Sequence, residues 1–358
     1  MQLSQNTRDD IINRVWKGRC TREDALALYE NPSFLFPFAD SLRKKAVGDD
    51  VTYVVNRNIN FTNRCIGTCR FCAFKEQDGY ILSIPDILGK TGEAAGNNAT
   101  EVCIQGGLLP GWDLTNYCGI LESIKDGFPD MHIHAFSPME VFHAAKNSNI
   151  SIKEVLSALK KSGLGSMPGT AAEILVDRVR MEICPDKLNT DEWVDVVTTA
   201  HRTGIPTTAT IMYGHIETSG ERIKHLFVIR DIQKKTGGFT EFVPLPFMPY
   251  NNKLGAGCDV SRGADDLKLH ALARVVLYPY IRNIQVSWVK LGKKMAQSAL
   301  ECGANDLGGT LMEEKISRSA GATNGEYMSP QEFEELIVGI NRVPRQRNTL
   351  YSTVKQKV

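Results

Sequence analysis

Over most of the chain, short runs rich in β-branched and aromatic residues alternate with longer stretches whose apolar residues recur every three or four positions. A strand period of two alternating with a helix period of 3.6 is the pattern of parallel βαβ units. The predicted strands are Thr52–Phe61, Glu101–Gln105, His132–Phe136, Gly165–Pro168, Thr207–Tyr213, Thr240–Pro244, Asn283–Ser287 and Ala304–Leu307. Eight strands in this order predict an α/β fold, a (βα)8 TIM-type barrel.

The helical stretches carry their own punctuation. Ser151-x-x-Glu154 is a capping box that opens a helix with Ile152, Val155, Leu156 and Leu159 on its apolar face, and Gly163 stops it. Thr190 is a candidate cap for a helix from about Asp191 to Thr203, with Gly204 behind it and Trp193 and Val197 assigned to the core. A third helix, about Glu221 to Lys235, lies between Ser219 and Gly237. Two helical patterns fill the first fifty residues, and Ser329-Pro330-x-Glu332 starts a last helix containing Phe333, Leu336, Ile337 and Ile340. The expected organisation is an N-terminal helical extension over 1–50, a barrel over 51–310 and a C-terminal helical cap over 311–358.

Composition narrows the function classes. With 42% hydrophobic and 23% charged residues the chain can bury a full core. Its 42 Lys plus Arg balance 41 Asp plus Glu, a formal net charge of +1, so no overall field draws it to nucleic acid or to an anionic membrane. The N-terminus lacks a basic stretch followed by an apolar run, and no apolar segment of about 18 residues occurs, so a cytoplasmic protein is expected. Nine cysteines are an odd number for a disulfide framework. Cys20, Cys103, Cys118, Cys184, Cys258 and Cys302 are scattered and read as small buried hydrophobes.

The remaining three are clustered. Cys65-Ile66-Gly67-Thr68-Cys69-Arg70-Phe71-Cys72 has the spacing CxxxCxxC directly after the first predicted strand, and loops after barrel strands lie on the catalytic face. Three thiolates there can hold three corners of a [4Fe-4S] cubane, leaving one iron to the amino and carboxylate groups of S-adenosylmethionine (SAM). Structural zinc would want a fourth ligand, and no His lies between Cys72 and Cys103. An electron carrier would be expected to ligate every iron with protein, and a nucleic-acid-modifying enzyme would be expected to carry a basic surface. Gln105, Gly106 and Gly107 follow the second strand, where glycines let the backbone approach SAM. Phe71 and Phe74 flank the last cysteine as candidates to shield the cluster and line the adenine pocket, and Ser137 after the third strand joins the candidate SAM contacts.

Asn58 to Asn63 before the cysteines, then Cys65 through Phe74, resemble the radical SAM enzymes of deazaflavin and futalosine metabolism. The runs His132–Pro138, Gly163–Leu175 and Thr207–His215 are most similar to the tyrosine-using subunit of FO synthase. Aminofutalosine synthase of menaquinone biosynthesis is the alternative; that branch has a Gly-rich run where this chain has Pro168-Gly169-Thr170-Ala171-Ala172-Glu173. The resemblance implies that the adenosyl radical takes hydrogen from L-tyrosine, whose 4-hydroxybenzyl group then adds to 5-amino-6-(D-ribitylamino)uracil, releasing 2-iminoacetate, 5'-deoxyadenosine and methionine. It further implies two protein partners, a reductant and the second radical SAM subunit of FO synthase, which completes the 8-hydroxy-5-deazaflavin ring.

Polar residues near the predicted strand ends are the candidates for holding substrates. If Ile133 points behind the barrel, His132 and His134 point inward together, and Ser166, Tyr213, His215 and Glu241 come from neighbouring strands. His134, His215, Glu173 and Arg178 are the candidate catalytic residues, Arg178 as a bidentate grip on the carboxylate of SAM or tyrosine.

Overall fold

The computed structural model describes residues 3–256 and 263–354; Cys258 lies outside them. Its strands are β1 (Asp50–Val54), β2 (Asn56–Asn60), β3 (Glu101–Gln105), β4 (His132–Ala135), β5 (Thr207–Tyr213), β6 (Phe239–Pro246), β7 (Asp306–Gly309) and β8 (Val343–Arg347).

Four ladders and four bridges close one parallel ring. β2 pairs with β3 and β3 with β4; His134 then bridges Ser166, and Met167 bridges Thr207 of β5. β5 pairs with β6, Phe242 bridges Ile284, Gln285 bridges Asp306 of β7, and β7 pairs with β1. The eight stations of the ring are the eight predicted strands, so the (βα)8 expectation holds.

Two stations are reduced to single bridges, and the reason is local. At Gly165–Pro168 the proline has no N–H to extend the ladder, and Gly169 turns to hydrogen-bond the Thr208 hydroxyl at 2.7 Å. At Asn283–Ser287 a short helix, Trp288–Leu291, begins at once. The predicted first strand is divided at Val55: β1 serves β7, and β2 serves β3.

The capping signals formed largely as read. Ser151 and Glu154 make the reciprocal cap of Ile152–Lys161, with Val155, Leu156 and Leu159 buried, and Ser329 with Glu332 does the same for Pro330–Val338. Two caps sit one residue earlier than expected, on Asn189 rather than Thr190 and on Thr218 rather than Ser219. Each such box is worth about 1 kcal/mol. The first fifty residues form the helices Gln5–Trp16, Arg22–Tyr29 and Pro32–Val47, one more than the two patterns expected.

The stretch after 310 departs from a purely helical cap. It contains β8, which pairs in parallel with β1 from Asp50 to Val54 on the edge that β7 leaves open. Its sequence, Val-Pro-Arg-Gln-Arg, has no apolar alternation, and what makes it a strand is the unfilled edge of β1. Through β8 the C-terminal chain reaches the lower end of the barrel, where Arg347 and Thr349 are buried. No helix among the described residues is long and apolar enough to cross a membrane.

Candidate active site

A cavity of about 460 Å³ runs through the barrel from the cysteine loop to Arg347 and Thr349. Strand alternation builds its wall. On β3, Glu101, Cys103 and Gln105 face the cavity, whereas Val102 and Ile104 are fully buried in the core. On β2, Asn56, Asn58 and Asn60 do the same.

Cys65, Cys69 and Cys72 all line the upper end. The Cys65 sulfur accepts the backbone N–H groups of Gly67 and Leu108, each at 3.3 Å. The sulfurs of Cys65 and Cys69 lie 3.4 and 3.9 Å from the point where a Gly67 Cβ would stand. Among the described residues no three His, Cys, Asp or Glu side chains converge on one ion. The donor set, the amide contacts and the open cavity beside them fit a [4Fe-4S] cluster.

Two polar atoms of the wall, Asn60 Oδ1 and Thr170 Oγ1, are buried without a hydrogen-bond partner. A buried acceptor or hydroxyl left unpaired costs about 1–3 kcal/mol, so such atoms in a cavity wall point to a polar ligand.

Gln105, Gly106 and Gly107 line the cavity beside the cysteines, as do Phe71, Phe74 and Ser137. The reason for the two glycines differs from the one read in the sequence. A Cβ on Gly106 would stand 2.6 Å from the Phe61 ring, and one on Gly107 would overlap the Arg64 carbonyl and approach the Cys65 Cβ to 2.8 Å. The absent side chains make room for protein, letting this loop lie directly on the cysteine loop. Ile66 N–H donates to the Leu108 carbonyl at 3.0 Å, and Gly107 N–H to that of Thr62 at 3.0 Å.

Ser137 caps the helix Pro138–Ser148 in a box with Glu140, which the sequence reading passed over although Ser137-Pro138-x-Glu140 carries the signature. Glu140 accepts from the Ser137 N–H and hydroxyl, both at 2.7 Å, and from the Gly106 N–H at 3.2 Å, so it ties the glycine loop to the helix. Burial pushes its carboxyl up to about 7 against those hydrogen bonds.

His134 lines the cavity, and Ile133 is fully buried behind it, as the alternation required. Its Nδ1 lies 2.7 Å from the Ser166 hydroxyl, which also lies 2.8 Å from His132 Nε2. Burial lowers the His134 pKa to about 4, so the imidazole is neutral at pH 7. Glu173 lines the cavity with Lys187, which the sequence reading missed; the pair is 2.5 Å apart, and the ammonium stands 5.1 Å from the Phe71 ring. Burial opposes the Lys187 charge, but Glu173 beside it more than offsets this and holds the pKa above the usual lysine range.

Five candidates do not line the cavity: His132 and Ser166, which hydrogen-bond each other beside His134, and Arg178, His215 and Tyr213. Arg178 is half exposed and makes a bidentate pair with Glu221, 2.8 Å on each arm, because Asp177–Ile183 lies on the outer surface. His215 turns into its own loop, 3.1 Å from the Met212 carbonyl and 3.0 Å from Glu217, with a fully buried side chain. Tyr213 donates to Asp266 at 2.7 Å. The missed cavity residues, Asn56, Asn58, Glu101, Gln285, Arg347 and Thr349, join Glu241 in the wall. The Asn-x-Asn-x-Asn alternation of β2 was the available signal; none marked Arg347 or Thr349.

A closed (βα)8 barrel with a CxxxCxxC loop at the mouth of its cavity is the arrangement of a radical SAM enzyme, and residues 59–229 match the sequence model of the radical SAM superfamily. Residues 236–357 match that of the CofH/MqnC C-terminal region. Solved structures show the same fold: the FeFe-hydrogenase maturase HydG from Carboxydothermus hydrogenoformans has a TM-score of 0.74 at 17% identity, covering 97% of this chain and 81% of that one. Methylornithine synthase (PylB) has 0.71 at 16%, covering 93% and 97%. Enzymes of this superfamily use a [4Fe-4S] cluster and SAM.

Among curated proteins, 5-amino-6-(D-ribitylamino)uracil–L-tyrosine 4-hydroxyphenyl transferase 1 of Methanosarcina barkeri is 62% identical over 99% of this chain and 96% of its own length. The transferase of Archaeoglobus fulgidus is 61% identical over 91% and 95%. The chain belongs to the family of these 4-hydroxyphenyl transferases.

Proposed function

We propose that the chain transfers the 4-hydroxybenzyl group of L-tyrosine to 5-amino-6-(D-ribitylamino)uracil in a reaction opened by SAM cleavage. The observation that carries this is the near-full-length identity of 62% to a transferase of that name, with a three-cysteine loop opening on a polar barrel cavity. Cys65, Cys69 and Cys72 would hold a [4Fe-4S] cluster, which, once charged with an electron by the external reductant, would supply the reductive cleavage of SAM to methionine and a 5'-deoxyadenosyl radical.

The chain's own residues bind and orient. The Gln105–Gly107 loop, held by Glu140, and Ser137 take the methionine end of SAM beside the cysteines, with Phe71 and Phe74 against its apolar parts. Lys187 and Glu173 offer a charge of each sign to the zwitterionic end of an amino acid. His134, neutral and steadied by Ser166, offers hydrogen bonding without charge. Holding both substrates in one enclosed cavity keeps the tyrosine-derived fragment near its acceptor. A reductant protein and the second radical SAM subunit of FO synthase complete the assignment as its partners.

The test is anaerobic incubation of reconstituted protein with reductant, SAM, tyrosine and the ribityl diaminouracil, read by mass spectrometry. Free 5'-deoxyadenosine should form in step with tyrosine loss, and a 4-hydroxybenzyl adduct of the diaminouracil should accumulate. An adenosyl carbon bound covalently in the product, with tyrosine untouched, would overturn the reading in favour of aminofutalosine chemistry.

A further inference from the structure

The cavity is chemically graded from end to end. Gln105 stands beside the cysteine loop and Glu101 at the start of the same strand, roughly 13 Å deeper at about 3.3 Å per residue. The cationic side chains Lys75 and Lys187 lie at the cysteine end, where Lys75 donates to the Gly67 carbonyl.

The deep end is rich in acceptors. Glu101 accepts from Asn56 at 3.0 Å and from the Thr349 hydroxyl at 2.6 Å. Glu241 takes Arg347 at 3.3 Å and the Tyr351 hydroxyl, both on one carboxylate oxygen. Its other oxygen faces Gln285, whose amide reaches it at 3.2 Å when rotated. Arg347 is already engaged by Asp306, at 2.5 and 3.0 Å. On the cavity wall this floor therefore sets two carboxyl groups, Glu101 and Glu241, against a guanidinium that Asp306 already pairs; burial pushes the Glu241 carboxyl up to about 7, and each carboxyl oxygen has two lone pairs.

Such a floor repels the carboxylates of tyrosine and methionine. Arg347 fills the space between Asp306 and Glu241 that a metal ion would need. What it suits is a neutral ligand that presents several hydroxyl donors. SAM must lie against the cysteines, and tyrosine must lie next to SAM to be attacked first. The acceptor substrate is left the deeper space, and its polyol chain is the part that matches carboxylates.

We propose that the barrel floor formed by Glu101, Glu241 and Thr349, the last brought in by the chain that follows β8, binds the D-ribityl chain of the diaminouracil. This rests on the transferase reading. It makes the C-terminal segment a specificity element rather than only a cap, with Arg347 as the positioning residue that anchors it.

The test compares the holoenzyme's KM for 5-amino-6-(D-ribitylamino)uracil with that for 5,6-diaminouracil, which lacks the chain. The wild type should prefer the ribityl substrate; Glu101→Gln should raise its KM roughly tenfold to a hundredfold, the worth of one hydrogen bond to a charged group, and Thr349→Val roughly threefold to tenfold, the worth of one between neutral groups. Neither should change the KM of the truncated substrate, and Thr349→Ser should restore the preference. Iron content and melting temperature report whether each variant is folded. Equal KM values for the two substrates in the wild type would overturn the proposal without any variant, as would folded variants that keep the full preference. Failure of the transferase reading looks different: neither acceptor yields a hydroxybenzyl adduct and tyrosine is not consumed.

Discussion

Gly107→Ala should dislodge the cysteine loop. The added Cβ would overlap the Arg64 carbonyl and stand 2.8 Å from the Cys65 Cβ, against ordinary carbon separations of about 3.5–4.0 Å. Relief requires the two loops to part by roughly 1 Å. The bonds in the way are Gly107 N–H to Thr62 at 3.0 Å, Ile66 N–H to Leu108 at 3.0 Å, and Leu108 N–H to the Cys65 sulfur at 3.3 Å. Overpacking of this kind costs about 1–3 kcal/mol, and each hydrogen bond lost adds about 1 kcal/mol. Gly119 supplies the control: it lies within the helix Leu114–Gly127 with nothing within 4 Å of its Cβ position, so Gly119→Ala should stabilise by about 0.5–1 kcal/mol. The assay is iron per chain after anaerobic reconstitution together with thermal melting, where about 1 kcal/mol moves the midpoint by ~2 °C. The same substitution should act with opposite signs at the two sites, and only Gly107→Ala should lose iron. Full iron content and an unchanged midpoint in Gly107→Ala would refute the claim that these glycines serve loop-on-loop packing.

Reconstitution should give about four iron and four sulfide per chain; Cys65→Ala, Cys69→Ala or Cys72→Ala should abolish both cluster and SAM cleavage, Cys118→Ala should leave both, and full activity in Cys69→Ala would sink the assignment. Arg178→Ala should leave turnover unchanged and cost at most about 1 kcal/mol in urea denaturation, because its partner Glu221 is a surface contact; a large loss of kcat would place Arg178 in the site after all. His134 has a folded pKa near 4, below the usual histidine value of about 6.5. The unfolded chain therefore binds the proton first as pH falls; the contribution is whole above pH ~6.5 and declines toward pH 4 by roughly 3 kcal/mol. The acid limb of stability against pH should be shallower in His134→Gln, and parallel limbs would contradict this.

Much of this protein was legible in its sequence because the deciding signals are local. A strand's alternation states which side chains share a face, so His134 was read as inward with Ile133 behind it; His134 lines the cavity and Ile133 is fully buried. The CxxxCxxC spacing places three thiols on one short loop whatever the rest of the chain does, and the capping boxes at Ser151 and Ser329 depend only on residues three apart. Strand ends are less decisive, because the last residue and the loop beyond it can turn either way: Tyr213 left for Asp266, His215 folded back into its loop, and Arg178 found Glu221 on the outer surface. Arg347 and Thr349 lie far along the chain from Glu101 and Glu241, and the stretch Val343–Arg347 has no strand pattern of its own. Only closure of the ring leaves an edge of β1 for it to pair with, so the cysteine mouth of the cavity was written locally, whereas its carboxylate floor was decided by tertiary contacts that no local pattern records.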